Sequence, residues 1–133
     1  MHKYKTKKDY LNKYLLTKNK VDKLIERMEI LRQLQMENKK INPFVEIESE
    51  IQEFQDRINK LHKRELSYKI KLNLVIKDLP EPFYEVLQLK FIGGLPFDQI
   101  AKRIGYSERT ARKYYSKGMD LLDEKDIKST FIL

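Results

Sequence analysis

The sequence predicts an all-α protein, built from a long antiparallel, coiled-coil-like helical hairpin and a C-terminal helix-turn-helix domain. No glycine precedes Gly93, and Pro43 is the only proline before Pro80, so little interrupts long helices. Apolar residues also recur every three or four positions over most of the first 79 residues, which is the spacing of one helix face. We therefore expect three segments: a helical arm over 1–79, a helix-turn-helix domain over 80–123 and a tail over 124–133.

The first arm helix is predicted to run roughly from Thr6 to Asn38. Residues 39–45 supply the break, because the residue before Pro43 is disfavoured in the α region. The apolar positions of this helix keep the 3/4 spacing, with two more alongside: Tyr14, Val21, Leu24, Met28 and Leu31, then Ile25 and Leu34.

The second arm helix has the more regular spacing. Its apolar positions are Ile47, Ile51, Phe54, Ile58, Leu61, Tyr68, Leu72, Val75 and Leu79. Only Glu65 interrupts them. Three roles are open to its side chain: it fixes the register of the two helices, it pairs with a lysine across the hairpin, or it points into water. A helix about 50 Å long must pack along a partner. The short connection favours a hairpin within the chain, and a two-chain coiled coil is the alternative.

Prolines and glycines divide the C-terminal part into short helices. The boundaries are Pro80 with Pro82, Gly93 with Gly94, Pro96, and Gly105. Ser107 is placed to cap the helix that follows. The expected buried residues are Phe83, Val86, Leu87, Leu89, Phe91 and Ile92, then Ile100, Ala101 and Ile104. Beyond Leu122 we expect a frayed tail, in which Phe131, Ile132 and Leu133 are the residues able to dock.

The helix after Ser107 has two sides that differ in chemistry. At 100° per residue, one side falls within about 80° of Arg109. It comprises Arg109, Arg112, Lys113, Ser116 and Lys117. The other side comprises Ala111, Tyr114, Tyr115, Gly118 and Leu122. One side is therefore expected to pack, and the other to meet phosphates and base edges.

These residues resemble a known module. Residues 79–122 are similar to the fourth conserved region of bacterial sigma factors, through Leu79, Val86, Leu87, Leu89, Gly93-Gly94-Leu95, Ile100-Ala101, Ile104-Gly105, Ser107, Thr110, Ala111, Tyr115 and Leu122. In that family the module is a helix-turn-helix that contacts promoter DNA. With its lysine-rich helical N-terminal half, the whole chain is similar to small phage and prophage transcription regulators of the ArpU and RinA type.

The resemblance implies roles for individual residues. The residues that match packing positions between the two helices are Ile100, Ala101, Ile104, Ala111 and Tyr115. The residues that match DNA-contact positions are Ser107, Arg109, Thr110, Arg112 and Lys113. Two positions depart from the family pattern. Ala111 stands where a β-branched residue is usual and Gly118 where alanine is, so we expect looser packing and a helix end that can bend.

Physical reasoning on the helix assigns similar contacts. A major groove about 12 Å wide admits one helix, whose first two turns meet the bases. Arginine can bridge guanine edges, which suits Arg109 and Arg112, whereas Lys113 and Lys117 suit phosphates. Lys102 and Arg103 on the preceding helix are predicted to grip the adjacent backbone. For Glu108, balancing the helix dipole is favoured over accepting from a cytosine amino group.

Charge and composition narrow the class of protein. The net charge of +8 favours an anionic partner. The N-terminal lysines are expected to form a disordered solubilising arm rather than one that binds a DNA groove: Lys3, Lys5, Lys7, Lys8 and Lys13. Without cysteine or a long apolar run, we expect a soluble protein of the bacterial host cytoplasm. His2 and His62 are the only histidines, so we expect no enzyme, metal or cofactor.

The function predicted from the sequence is sequence-specific DNA binding that regulates transcription, as a phage or prophage late-gene activator. The arm would then meet RNA polymerase or a second copy of the chain. The alternative is a small terminase subunit that recognises DNA for packaging, for which ring assembly in solution would be typical. A third hypothesis is an interaction protein with a vestigial helix-turn-helix, which would bind every duplex weakly.

Overall fold

The computed structural model describes residues 6–41 and 47–132, and the regular elements in those ranges are all α-helices. In chain order they are α1 (Lys7–Leu11), α2 (Lys13–Ile41), α3 (Glu48–Ile76), α4 (Phe83–Phe91), α5 (Phe97–Ile104), α6 (Glu108–Leu121) and α7 (Glu124–Ile132). The all-α fold class is confirmed. The chain forms two compact units, one made of residues 16–65 and the other of residues 1–15 with 66–133.

The first unit is an antiparallel pair formed by most of α2 and the first part of α3. Its buried residues are Val21, Leu24, Met28, Ile51 and Ile58, and the partly buried residues around them are Ile25, Leu31, Ile47, Phe54 and Leu61. Nearly all of them belong to the apolar 3/4 pattern of the two helices, and we call the line along which these residues pack the seam. Within this unit the pairing is therefore the hairpin within one chain that the short connection favoured.

Gln35 fixes the end of this hairpin. Its side chain is 5% exposed and accepts the backbone N–H of Ile47 at 3.1 Å, while its amide nitrogen donates to Oε2 of Glu48 at 3.1 Å. Gln35 lies four residues after Leu31, so it occupies the next seam position, and Leu34, which we expected to pack alongside, is half exposed. A polar residue occupies this seam position because its amide hydrogen-bonds the N–H of Ile47 and the carboxylate of Glu48 at the start of α3.

The second unit has a core to which both arm helices contribute their ends. Its buried residues are Leu11, Tyr14, Leu72, Ile76, Leu87, Phe91, Leu122, Ile127 and Phe131. The expected boundary at 79/80 therefore does not coincide with the division between compact units, which falls at 15/16 and 65/66. The physical reason is that Leu72 and Ile76 of α3 are fully buried in the same cluster as Leu87 and Phe91 of α4.

The described part of the N-terminal segment begins with a capped helix. Thr6 and Asp9 form a reciprocal capping box at the start of α1, with bonds of 3.2 and 3.0 Å. The expected continuous helix from Thr6 is wrong at Asn12, which ends α1 before α2 begins. The expected disordered arm is also wrong for Lys7, Lys8 and Lys13, which lie in α1 and α2. Lys3 and Lys5 lie outside the described residues.

The C-terminal tail folds, contrary to the expectation that it frays. Residues 124–132 form α7, which buries Ile127 and Phe131 and packs against α1. The Phe131 ring lies 5.8 Å from that of Tyr10 and 6.3 Å from that of Tyr68. The sequence signal for this helix is weak because only Ile127 and Phe131 face the core. Ile132 is largely exposed, and Leu133 lies outside the described residues.

Candidate nucleic-acid interface

α5 and α6 are joined by the three residues Gly105, Tyr106 and Ser107. Gly105 adopts the left-handed conformation at φ 77°, and its N–H and that of Tyr106 both donate to the carbonyl of Ala101, at 2.9 and 3.0 Å. The buried residues behind this turn come from α4, α5 and α6: Val86, Ile100, Ala101 and Ala111. The fold therefore holds α6 firmly through its apolar side.

Ser107 caps α6. Its Oγ accepts the backbone N–H of Thr110 at 3.1 Å and donates to Thr110 Oγ1 at 2.9 Å. The sequence predicts DNA contacts for both residues. In the structure their hydroxyl groups hydrogen-bond each other, and that of Ser107 also accepts a backbone N–H at the start of α6. Ser107 is exposed and Thr110 is partly buried.

The two sides of α6 are exposed and buried as the sequence predicted. The exposed residues form what we call the cationic ridge: Arg109, Arg112, Lys113, Ser116 and Lys117. On the reverse side Ala111, Gly118 and Leu122 are buried, and Tyr114 and Tyr115 are partly buried. The expected separation of a free polar side from a packed side is confirmed.

Gly118 permits close packing of α6 on α4. A Cβ at this position would lie 3.3 Å from Cβ of Phe83 and 3.3 Å from Cδ1 of Leu87. The expectation that Gly118 loosens the packing is wrong, because the missing side chain leaves room for the α4 side chains. α6 also continues through Gly118 as far as Leu121.

The two tyrosines pack against neighbouring aromatic rings. The Tyr115 ring lies 5.3 Å from that of Phe97 and 5.9 Å from that of Phe91, and burial raises the pKa of its phenol. The Tyr114 ring lies 5.4 Å from that of Tyr106, and burial together with Tyr106 raises its pKa. Both side chains therefore act as packing groups on the reverse side of α6.

Arg112 is held in place by two neighbours. Its Nη2 donates to Oε1 of Glu108 at 3.0 Å, and its Cζ lies 4.5 Å from the ring centroid of Phe97. Its side chain remains 60% exposed. Glu108 lies in the first turn of α6, where a carboxylate suits the helix dipole, and it also orients Arg112, a role that the sequence did not indicate.

The other expected contact residues are exposed. Among the described residues, the following form no ion pair: Lys102, Arg103, Arg109, Lys113 and Lys117. Their charges are therefore available to an anionic partner, whereas Arg112 already shares a carboxylate. The structure places Lys102 and Arg103 in the last turn of α5.

A lysine outside the predicted interface, Lys90, contacts the same ring as Arg112. Nζ of Lys90, from α4, is 4.5 Å from the Phe97 centroid, the same ring that Arg112 contacts. The pKa of Lys90 is lowered by burial and by the positive charges of Lys8 and Arg112. The sequence contains no signal for this cluster, because Lys8, Lys90 and Arg112 come from three separate helices.

Two further kinds of site are absent from the part of the chain that the structure describes. No helix there is long and apolar enough to cross a membrane. Nor do its histidines and carboxylates gather in threes around a point where a metal ion would bind. In comparisons with known proteins, this chain matches no family model, no curated protein and no solved structure.

Proposed function

We propose that this chain binds double-stranded DNA sequence-specifically, with α6 in the major groove, and regulates transcription. The observation that supports this most is the cationic ridge, exposed along a helix whose reverse side is packed against α4 and α5. Arg109, Arg112 and Lys113 lie on the first two turns of α6, the part of a recognition helix that reaches base edges.

The regulatory part of the proposal rests on the resemblance of residues 79–122 to the fourth region of sigma factors. On the basis of that resemblance, the chain is a late-gene activator of a phage or prophage, and it acts together with RNA polymerase. The all-helical architecture and the turn around Gly105 are compatible with that module.

The experiment is selection of duplexes from a random pool by the purified chain, followed by binding measurements on the recovered site. We expect one recovered motif. Arg112→Ala with Lys113→Ala should abolish the preference while leaving the helical circular dichroism signal unchanged, because both side chains are exposed. The control is Lys125→Ala with Lys128→Ala on α7, where two exposed or partly exposed lysines are also removed. Recovery of no motif, or an unchanged preference in the α6 variant, would contradict the proposal.

The partner proposed for the arm is a second copy of the chain. α3 exposes an apolar row whose members are more than half exposed: Leu66, Ile70 and Leu74. In a two-fold antiparallel pair of α3 helices centred on Ile70, each Leu66 would face Leu74 of the second copy. Beyond the row, Lys63 would face Lys77 of the second copy, so the pairing rests on the apolar residues alone.

Light scattering on the eluting protein tests this partner. We expect a dimer that Ile70→Lys converts to a monomer, whereas Lys69→Ala, a change at the neighbouring exposed residue, leaves the dimer intact. A monomeric wild-type chain would assign the row to another protein, such as RNA polymerase. A ring of many copies would favour the terminase alternative.

A further inference from the structure

Two positive charges, on Lys90 and Arg112, meet at the aromatic ring of Phe97. Phe97 is the first residue of α5, and its centroid lies 4.5 Å from Nζ of Lys90 and 4.5 Å from Cζ of Arg112. Lys8 is close enough to Lys90 to act on its charge. The ring partly offsets the burial of Lys90, since an ammonium group is attracted to the face of an aromatic ring.

The charges in this cluster are only partly compensated. Arg112 has the carboxylate of Glu108 at 3.0 Å. In the described part of the chain, Lys8 and Lys90 have no carboxylate within ion-pair distance. Like charges that are held together without a counter-charge repel one another, and a bound anion removes that repulsion. Burial is the main cause of the lowered pKa of Lys90, and the positive charges of Lys8 and Arg112 lower it further.

The position of the cluster indicates which anion it suits. It adjoins Arg112, a member of the cationic ridge, so an anion bound there would neighbour the base edge that Arg112 reaches. Lysine ammonium groups act as compact point charges, which suits backbone phosphates rather than base edges. A DNA phosphate beside the contacted base has the required charge and place.

We propose that Lys8 of α1 and Lys90 of α4 together hold one phosphate of the DNA backbone, next to the base contacted by Arg112. This inference rests on the proposed function and extends the interface beyond the helix-turn-helix to the N-terminal helix. The two lysines position the duplex and carry no sequence preference of their own.

The test measures how the dissociation constant depends on salt, for the selected duplex and for an unrelated duplex. In Lys8→Gln with Lys90→Gln, the slope of log K against log salt should become shallower by about 0.9, the value for one phosphate contact. Both duplexes should lose affinity equally, and Lys8→Arg with Lys90→Arg should restore the slope. The control is Lys128→Gln, which removes the same kind of charge from a lysine already paired with Glu124 at 3.4 Å.

A second measurement identifies the phosphate itself. Replacing each backbone phosphate of the selected duplex in turn by a neutral methylphosphonate should reveal one position where wild-type affinity falls and that of the double glutamine variant does not. If the variant still selects the motif with an unchanged salt slope, the phosphate site is refuted and the proposed function stands. If the wild-type chain binds no duplex, both are refuted. Equal binding of polyglutamate, lost in the same variant, would assign the lysines to acidic proteins instead.

Discussion

Replacing Arg112 by lysine tests whether this residue reads a base or only supplies charge. The guanidinium has five N–H donors, of which one on Nη2 donates to Glu108, so the remaining donors can reach a guanine edge. Lysine keeps the charge and loses the two-pronged geometry. We therefore expect the affinity for an unrelated duplex and its salt dependence to stay unchanged.

Discrimination at one base pair of the selected site should fall. A bidentate arginine–guanine pair contributes about 1–3 kcal/mol of discrimination, or roughly fivefold to 150-fold in the ratio of dissociation constants. The folded state should lose little, because the contacts of Arg112 are an exposed ion pair and one cation–π contact, each worth about 1 kcal/mol or less.

The assay is competition by fluorescence anisotropy, using duplexes in which each base pair of the selected site is changed in turn. The lysine variant should lose its preference at one guanine and keep it at every other position. Lys117→Arg is the matched control, since it also exchanges one cation of the ridge for the other type. Unchanged discrimination at every position would refute the role of Arg112 as a base-reading residue, while the phosphate contacts of Lys8 and Lys90 would remain to be judged by their own salt slope.

Four further predictions concern the scaffold and the charge cluster. Gln35→Ala should destabilise the hairpin unit by about 1–3 kcal/mol in urea unfolding, because two hydrogen-bond partners at the start of α3 lose their bond. Leu72→Asp should unfold α4 to α7 as judged by the amide NMR spectrum, because Leu72 is fully buried in their core, whereas Leu61→Asp should disturb only residues 16–65. Gly118→Val should lower stability by about 1–3 kcal/mol in thermal unfolding, because its methyl groups meet Phe83 and Leu87. Arg112→Gln should raise the pKa of Lys90, followed through the NMR shift of its ε-methylene, because one repelling charge is removed.

Each of these has an outcome that would contradict it. The exposed Gln33→Ala should leave stability unchanged, and an equal loss in both variants would remove the special role of Gln35. If Leu61→Asp also unfolds α4 to α7, the two units are one cooperative body. Ser116→Val, at an exposed position of α6, is the control for Gly118, and an equal loss of stability there would contradict the packing role of Gly118. An unchanged pKa of Lys90 would mean that Arg112 does not act on it.

Burial periodicity could be predicted from the sequence because each helix meets its partner along one face. The seam of α3, the turn at Gly105 and the two sides of α6 follow from spacing and from one glycine. What could not be predicted are contacts between residues far apart in the chain. Lys7 donates to the carbonyl of Met119 across 112 positions, and Lys90 and Arg112 meet at Phe97. A polar seam residue such as Gln35 also escapes a pattern that counts only apolar side chains.

The folding of α7 could be recognised only in part. The apolar character of Phe131 and Ile132 indicates residues able to dock. A helix of nine residues with two buried side chains nevertheless leaves almost no periodic pattern in the sequence. The capping box at Thr6 and Asp9 is different, since its spacing is visible in the sequence and predicts the start of a helix at that point.

The shared core of the second unit limits how the molecule can be cut. Leu11 and Tyr14 at one end of the chain and Ile127 and Phe131 at the other are buried together with Leu87 of α4. A fragment that starts at residue 80 would expose the apolar undersides of α4 and α7 to water. Grafting residues 80–123 onto another protein, or removing the first fifteen residues, should therefore give aggregated protein rather than an independently folded DNA-binding domain.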